Sequence, residues 1–504
     1  MCRLCSSRAV GRSPDVSPRS SRSLFARPLF WPALALLGVY GLSFVLFALR
    51  LSTFPFDLDQ GESYDAWSGW LLNIGQLPYT DNEQFPYYSH GYPPLWSYLV
   101  SIPMAWLGPG LGAARALSSV AALLAAGLLG ASVWRLGGRA SAGVLAAILF
   151  LASPYVFHTT PLARVNATML LLDLVALTLF ERPTGRRVIL GSLVLVAALF
   201  TKPTSVDAVA AGLGYVLLVR PRLVLLGGAV VVGVGGVTAV ALQAASGGTY
   251  WLNVLGGNSS AFDLDQLRDY ILNFGLLHVV LLGLAGVELV ARLRQRCLSP
   301  WVLYFPAALM LALATIGKTG AGESYFLQTL AAASVLAALR ITSLLERARG
   351  WVEPALGVAL LAQAVLLAHG PLSQMVPWLP DRGPQSELLG RAPSPQDALA
   401  GQLLADLVRR APGPALAEDA SFVVVAGKPL VGATPPSLRN LYHAGLWDPT
   451  PLVADLRAHR YAIVVLNAEL YPEPVLAAIG QFYFQDRAVQ MNGSTYRVFL
   501  PGSP

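Results

Sequence analysis

Long apolar runs divide this chain, and arginines gather in alternate gaps between them. The runs fall near 29–49, 113–134, 141–158, 166–180, 188–201, 204–219, 223–243, 273–291, 300–316, 325–343 and 351–369. A helix needs roughly 20 apolar residues to cross a hydrocarbon layer about 30 Å thick, and most of these runs approach that length. Only 12% of the 504 residues are charged, about half of what soluble domains carry. The net charge of +7 does not point to nucleic acid, because the basic residues sit as short clusters between apolar runs. The pattern predicts an α-helical polytopic membrane protein.

The arginines set its orientation. Arg3, Arg8, Arg12, Arg19, Arg22 and Arg27 precede the first run and place that end in the cytoplasm. Residues 1–28 read as a disordered basic tail. The first run is too long for the apolar stretch of a signal peptide. One further run, 94–108, is short, follows Pro93-Pro94 and contains Pro103. Read as an interfacial helix that does not cross, it leaves eleven spans. The clusters Arg135/Arg139, Arg182/Arg186/Arg187, Arg220/Arg222, Arg292/Arg294/Arg296 and Arg347/Arg349 then all face inward. The C-terminus lies outside. Three cysteines make no disulfide framework, and the lone Cys2-x-x-Cys5 lacks the second pair a structural zinc site needs.

Chemistry-bearing residues gather on the outer side. The first outer loop, 51–93, holds Asp57, Asp59, Glu62, Asp65, Asp81 and Glu83 among many aromatics. Carboxylates at a membrane edge are unfavourable unless solvated or used. The loop ends in His90-Gly91-Tyr92, and later outer turns carry His158, Arg164, Lys202, Lys318, Glu323 and Tyr325. The chain's three lysines, Lys202, Lys318 and Lys428, all face outward in this topology. Snorkelling to headgroups explains a single edge lysine; two in short turns beside other polar groups suggest a site. A transporter needs binding groups near the midplane, whereas an enzyme working on a lipid-linked substrate needs a one-sided site. The sequence has the second pattern. A transporter or flippase of lipid-linked precursors, and a non-catalytic protein binding polyisoprenoid or polysaccharide, are the competing readings. The clustered acids permit a divalent cation, but no ligand spacing demands one.

Asp59-x-x-Glu62, Gly75-x-x-Pro78-Tyr79-x-Asp81 and Tyr92-Pro93-Pro94-Leu95, followed by Arg164, Thr201-Lys202-Pro203 and Gly317-Lys318 to Tyr325, form an ordered series. Over about residues 30–370 it resembles the GT-C superfamily of membrane glycosyltransferases, in the bacterial branch related to protein O-mannosyltransferases and the lipid A aminoarabinose transferase. The resemblance implies a polyprenyl-phosphate sugar as donor and a glycan, lipid or protein as acceptor. It implies a first-loop acid as base, with Asp59 ranked before Glu62 and Asp57. It implies that basic residues hold the lipid phosphate, for which Lys202, Arg164 and Lys318 are the candidates; Glu323, Tyr325, His158, Tyr92 and His90 complete the candidate substrate-binding set.

After Gly370 the texture changes. A Pro-rich linker, 371–395, leads to 396–504, which reads as a small extracytoplasmic α/β domain. An amphipathic helix at Ala398–Arg410, strands at Ser421–Ala426 and Tyr461–Leu466, and helices near 450–459 and 473–482 are expected. A cap over the site or a part in acceptor recognition is its expected use.

Overall fold

The computed structural model describes residues 23–347, 350–369 and 391–502. Cys2, Cys5, the five arginines before residue 23 and most of the expected linker lie outside the described residues. The expected tail is ordered at its end, where Leu24 and Phe30 are buried in the helical core.

Among the described residues up to 369 there are fifteen α-helices: α1 (Trp31–Thr53), α2 (Glu62–Asn73), α3 (Leu95–Leu107), α4 (Leu111–Arg135), α5 (Ala140–Leu151), α6 (Pro154–Thr159), α7 (Asn166–Phe180), α8 (Gly185–Leu199), α9 (Val206–Val219), α10 (Pro221–Ala245), α11 (Leu264–Leu277), α12 (Val279–Arg294), α13 (Pro300–Thr315), α14 (Leu327–Glu346) and α15 (Val352–Leu366). Among the described residues four helices are long and apolar enough to cross a membrane: Pro28–Thr53, Leu111–Arg135, Pro221–Ala245 and Glu323–Glu346. Several shorter apolar helices accompany them. Helix α14, apolar on all sides and rich in alanine, is buried along almost its whole length, as an all-round apolar helix should be.

The run expected at 273–291 is not one helix. α11 and α12 meet at 85° beside His278. The first turns of α11 carry the exposed residues Asp265, Arg268 and Asp269, and a helix with that face gains nothing by entering hydrocarbon. His278 is buried at the corner and lies 2.8 Å from Ser153 Oγ.

The loops with arginine clusters meet at one end of the bundle. Arg135 donates to Glu181 at 3.0 Å, and Trp301 donates to the same carboxylate. Arg139 lies 3.7 Å from Glu346, and Arg27 pairs with Glu353. The loop after α1 and the turns at 160–166, 201–203 and 317–325 meet at the other end. α4 links the two ends, from Arg115 to Arg135, roughly 30 Å at 1.5 Å per residue.

The C-terminal region comprises α16 (Pro395–Arg410), β1 (Ala415–Ala417), α17 (Ser421–Val425), α18 (Pro435–His443), α19 (Thr450–Arg457), β2 (Ile463–Leu466), α20 (Glu473–Phe482), β3 (Tyr483–Met491) and β4 (Ser494–Pro501). Its sheet has the order β1-β2-β4-β3, with β1 parallel to β2 and the other pairs antiparallel. The strand expected at Ser421–Ala426 is helix α17. Asp57 of the first loop accepts the Ser421 N–H at 3.0 Å, which satisfies one of the donors left free at a helix start. The first loop joins this region's core: Phe54, Phe56, Tyr64 and Trp67 pack with Leu404, Phe422 and Ile463.

Candidate active site

Between the first loop, the short turns and the C-terminal region lies a cavity of about 390 Å³. Asp59, Arg164, Lys202, Lys318, Glu323, Tyr325 and Tyr92 line it, so the structure brings together seven of the eleven residues expected from sequence.

Arg164 is the hub. Its Nε and Nη2 donate to Asp59 Oδ2 at 3.0 and 2.6 Å, and its Nη1 donates to Asp65 Oδ2 at 2.8 Å. Nη2 also donates to the carbonyl of Gln60. Gly61, the residue before α2, has φ +94°, which favours glycine. A Cβ there would also stand 3.1 Å from Arg164 Nη1. α2 then starts with Glu62 and Asp65 in its first turn, where the helix dipole favours negative charge. Burial pushes the Asp59 and Asp65 carboxyls up from their ordinary values, and Arg164 pulls them back. Oδ1 of Asp59 accepts no hydrogen bond among the described residues. Arg164 bridges the two acids, and no group of three or more His, Cys, Asp or Glu side chains able to hold a metal ion occurs among the described residues.

Lys202 is the second feature. Only 5% of it is exposed. Its Nζ donates to Asn166 Oδ1 at 2.8 Å and stands 4.5 Å from the centre of the Tyr325 ring. No carboxylate lies within ion-pair distance among the described residues. Burial, with repulsion from Arg164, pushes its amine down to about 8. Lys318 is half-buried in the turn that pairs with Phe262, and Gln266 donates to its carbonyl at 2.7 Å. Glu323 Oε2 and His158 Nδ1 are 2.9 Å apart. Glu323 Oε1 is buried with no hydrogen-bond partner.

The other four expected residues stand away from the cavity wall. Glu62 is fully enclosed. Arg115 Nε and Nη2 donate to its two oxygens at 2.9 and 2.7 Å, and the N–H groups of Leu58, Asp59 and Ala163 donate to it as well. Burial alone would raise its carboxyl, but Arg115 and these donors hold it below the ordinary value. Asp57 faces the C-terminal region, accepting from Ser63 and Ser421. His158 supports Glu323 from behind. His90 lies 3.8 Å from Asp65; burial pushes its imidazole down to about 3, so the contact is not an ion pair.

Sequence reasoning did not single out Asp65, Asn166 or Arg115. Asp65 was present in the acidic cluster, and Asn166 follows Arg164 by two residues. Arg115 gave a signal: a lone arginine at the outer end of an apolar run, against the inward rule of the others. A cap from the C-terminal region was expected, but the residues that form it were not legible. It comes from α18 and its flanks, with Thr434, Ser437, Asn440 and Leu470. These side chains are all neutral, whereas every charged group in the wall comes from the helical part. Glu418 fixes one edge by accepting N–H groups of Asn467, Ala468, Glu469 and Leu470.

Residues 90–271 match the profile of glycosyltransferase family 87. No curated protein matches the sequence. Among solved structures, ArnT from Cupriavidus metallidurans bound to undecaprenyl phosphate aligns with a TM-score of 0.58 at 12% identity, covering 93% of this chain and 97% of that one. The archaeal oligosaccharyltransferase AglB from Archaeoglobus fulgidus, in complex with an inhibitory peptide and a dolichol-phosphate, aligns with a TM-score of 0.51 at 13% identity, covering 93% and 74%. The likeness read over about residues 30–370 therefore extends over nearly the whole chain, and in fold this protein resembles the GT-C superfamily of membrane glycosyltransferases.

Proposed function

We propose that the protein is a membrane glycosyltransferase that moves a sugar from a polyprenyl-phosphate donor to an acceptor on the extracytoplasmic face. The observation that carries this reading is Lys202, a buried cation on the cavity wall, held by a neutral amide and an aromatic ring. A buried charge without a counterion is costly, and a phosphate in the cavity would supply the missing anion. The bound lipid phosphates of ArnT and AglB supply the precedent for such a ligand.

In this reading Asp59 Oδ1 accepts the proton of the acceptor hydroxyl as its oxygen attacks the anomeric carbon. The bond from that carbon to the donor phosphate oxygen breaks, and polyprenyl phosphate leaves with the bonding pair. Lys202, aided by Lys318, stabilises the charge on that oxygen. Arg164 holds Asp59 and Asp65 in place, and Glu323 Oε1 takes a hydrogen bond from a sugar hydroxyl. The neutral roof receives the uncharged part of the sugar or acceptor.

The topology belongs to the same proposal. Eleven spans run with the N-terminus in the cytoplasm, the arginine-rich end inside and the C-terminal region outside, with the division near 371–395. Polar groups favour an enzyme over a transporter by their placement. Asp173, about two turns below the cavity, accepts from Ser205 and lies 3.4 Å from the Tyr304 hydroxyl, so it is satisfied within the bundle.

Deletion of the gene followed by mass spectrometry of surface glycans and lipid-linked sugars tests the function. Loss of one glycan decoration with accumulation of a polyprenyl-phosphate sugar is expected. An unchanged profile of both would overturn the proposal.

A further inference from the structure

We propose a second ligand site: a groove between α12 and α14, at the end of the bundle away from the cavity, that binds an anionic phospholipid. The groove has a volume of about 530 Å³ and is lined along α12 by Gly283, Gly286, Val287 and Val290, with Arg294 and Arg340 at its end. The α12 residues recur at three- and four-residue spacing and share one face. A Cβ built on Gly283 or Gly286 would meet nothing within 4 Å, so the two glycines leave an open trough. From Gly283 to Arg294 the trough runs roughly 16 Å, close to the depth of one leaflet in a hydrocarbon layer of about 30 Å. An acyl chain fits that length and that lining.

The arginines identify the headgroup. No carboxylate lies within ion-pair distance of either among the described residues. Arg340 Nε is buried and has no hydrogen-bond acceptor, unlike the neighbouring Arg292, which donates to Glu288 at 2.6 Å. Arg340 is half-buried with that Nε enclosed, and Arg294 is exposed at the end of the trough. Two unpaired guanidinium groups select a net negative headgroup over a zwitterionic one, whose ammonium would lie against them. Arg340 follows Tyr325 by 15 residues, roughly 22 Å along the helix, so this lipid occupies the leaflet opposite the cavity and is not the donor.

The test uses the full chain purified in mild detergent, with phosphatidylglycerol or phosphatidylcholine of the same acyl chains added. Thermal melting and native mass spectrometry are the readouts. Phosphatidylglycerol should raise Tm and remain bound as one retained lipid, while phosphatidylcholine should do neither. The Arg294→Gln/Arg340→Gln double variant should lose both effects. Gly286→Leu, which fills the trough and keeps the arginines, should lose them too. Equal responses to the two lipids, or a phosphatidylglycerol response undiminished in the double variant, would overturn the proposal. The double variant decides alone if Gly286→Leu does not fold. None of these outcomes depends on whether the cavity transfers sugar.

Discussion

Two arginine–carboxylate pairs start from neighbouring positions in the first loop and end in different roles. Glu62 with Arg115 is enclosed completely. Both carboxylate oxygens are filled, and Arg115 Nη groups also donate to the carbonyls of Leu51, Phe54 and Phe56. Asp59 with Arg164, three residues earlier in the loop, opens on the cavity and leaves one carboxylate oxygen without a donor. The residue types are the same in kind, so composition cannot separate them. A carboxylate whose acceptor capacity is exhausted can only hold structure, whereas one with a free oxygen on a cavity can take a proton.

The largest effect that would sharpen this contrast is on turnover. Asp59→Asn should lower transfer by about 10²- to 10⁴-fold, the usual loss for a general base. Donor binding and melting temperature should change little, because Arg164 keeps Asp65. Near-normal turnover in this variant would break the distinction. Glu62→Gln should act on the other side of it. Stranding Arg115 without its charge partner should cost roughly 3–5 kcal/mol of stability, read as a lower melting temperature and poor yield. The protein that does fold should retain its turnover per molecule.

The next effect is on donor affinity. Lys202→Ala should weaken binding of undecaprenyl phosphate by about 10- to 100-fold, in line with roughly 1.5–3 kcal/mol for a hydrogen bond to a charged group. Lys202→Arg should restore part of it, since a planar fork does not replace a compact ammonium. Affinity should also depend on pH. The free amine is pushed down to about 8, and only its protonated form pairs with phosphate. Affinity should fall above that value, by at most roughly tenfold per unit, and level off near that of Lys202→Ala. Lys202→Arg should remove the dependence. The smallest effect is expected for Lys318→Ala, within about 1 kcal/mol, because a half-exposed cation is screened. Titration calorimetry on purified variants measures the set. A Lys318 effect larger than that of Lys202 would shift the phosphate to the other turn.

The sequence carried much of the helical part because long apolar runs have few alternatives. Runs near 29–49, 113–134 and 223–243 became α1, α4 and α10 with small boundary shifts. It failed where tertiary contacts decide. α11 and α12 bend at His278, five residues into the expected run, because α11 begins well before that run, with a polar first turn read as loop. α17 stands where a strand was expected, and a carboxylate distant in sequence, Asp57, accepts the N–H at its start. In the site, the cations were legible as outward-facing lysines and a lone Arg164, because each broke the arginine-only usage or the apolar pattern around it. Of the three ranked acids Asp59, placed first, lines the cavity, whereas Asp65, which lines it too, was not singled out. Asp57, Asp59, Glu62 and Asp65 lie within nine positions, and their directions depend on Arg115, Arg164 and Ser421, far away in sequence.

The bonds between the first loop and the C-terminal region bear on how such proteins can be rebuilt. Asp57 caps α17, Tyr64 donates to the Ala417 carbonyl at 2.7 Å, and Gln60 donates to the Glu418 carbonyl at 3.2 Å. Glu418 in turn fixes the loop that brings Leu470 to the roof. The loop and the C-terminal region are therefore one module for purposes of exchange, although several hundred residues separate them in the chain. A chimera that grafts a foreign roof onto this scaffold must carry its own first loop with it, or the acids beneath will lose their aim.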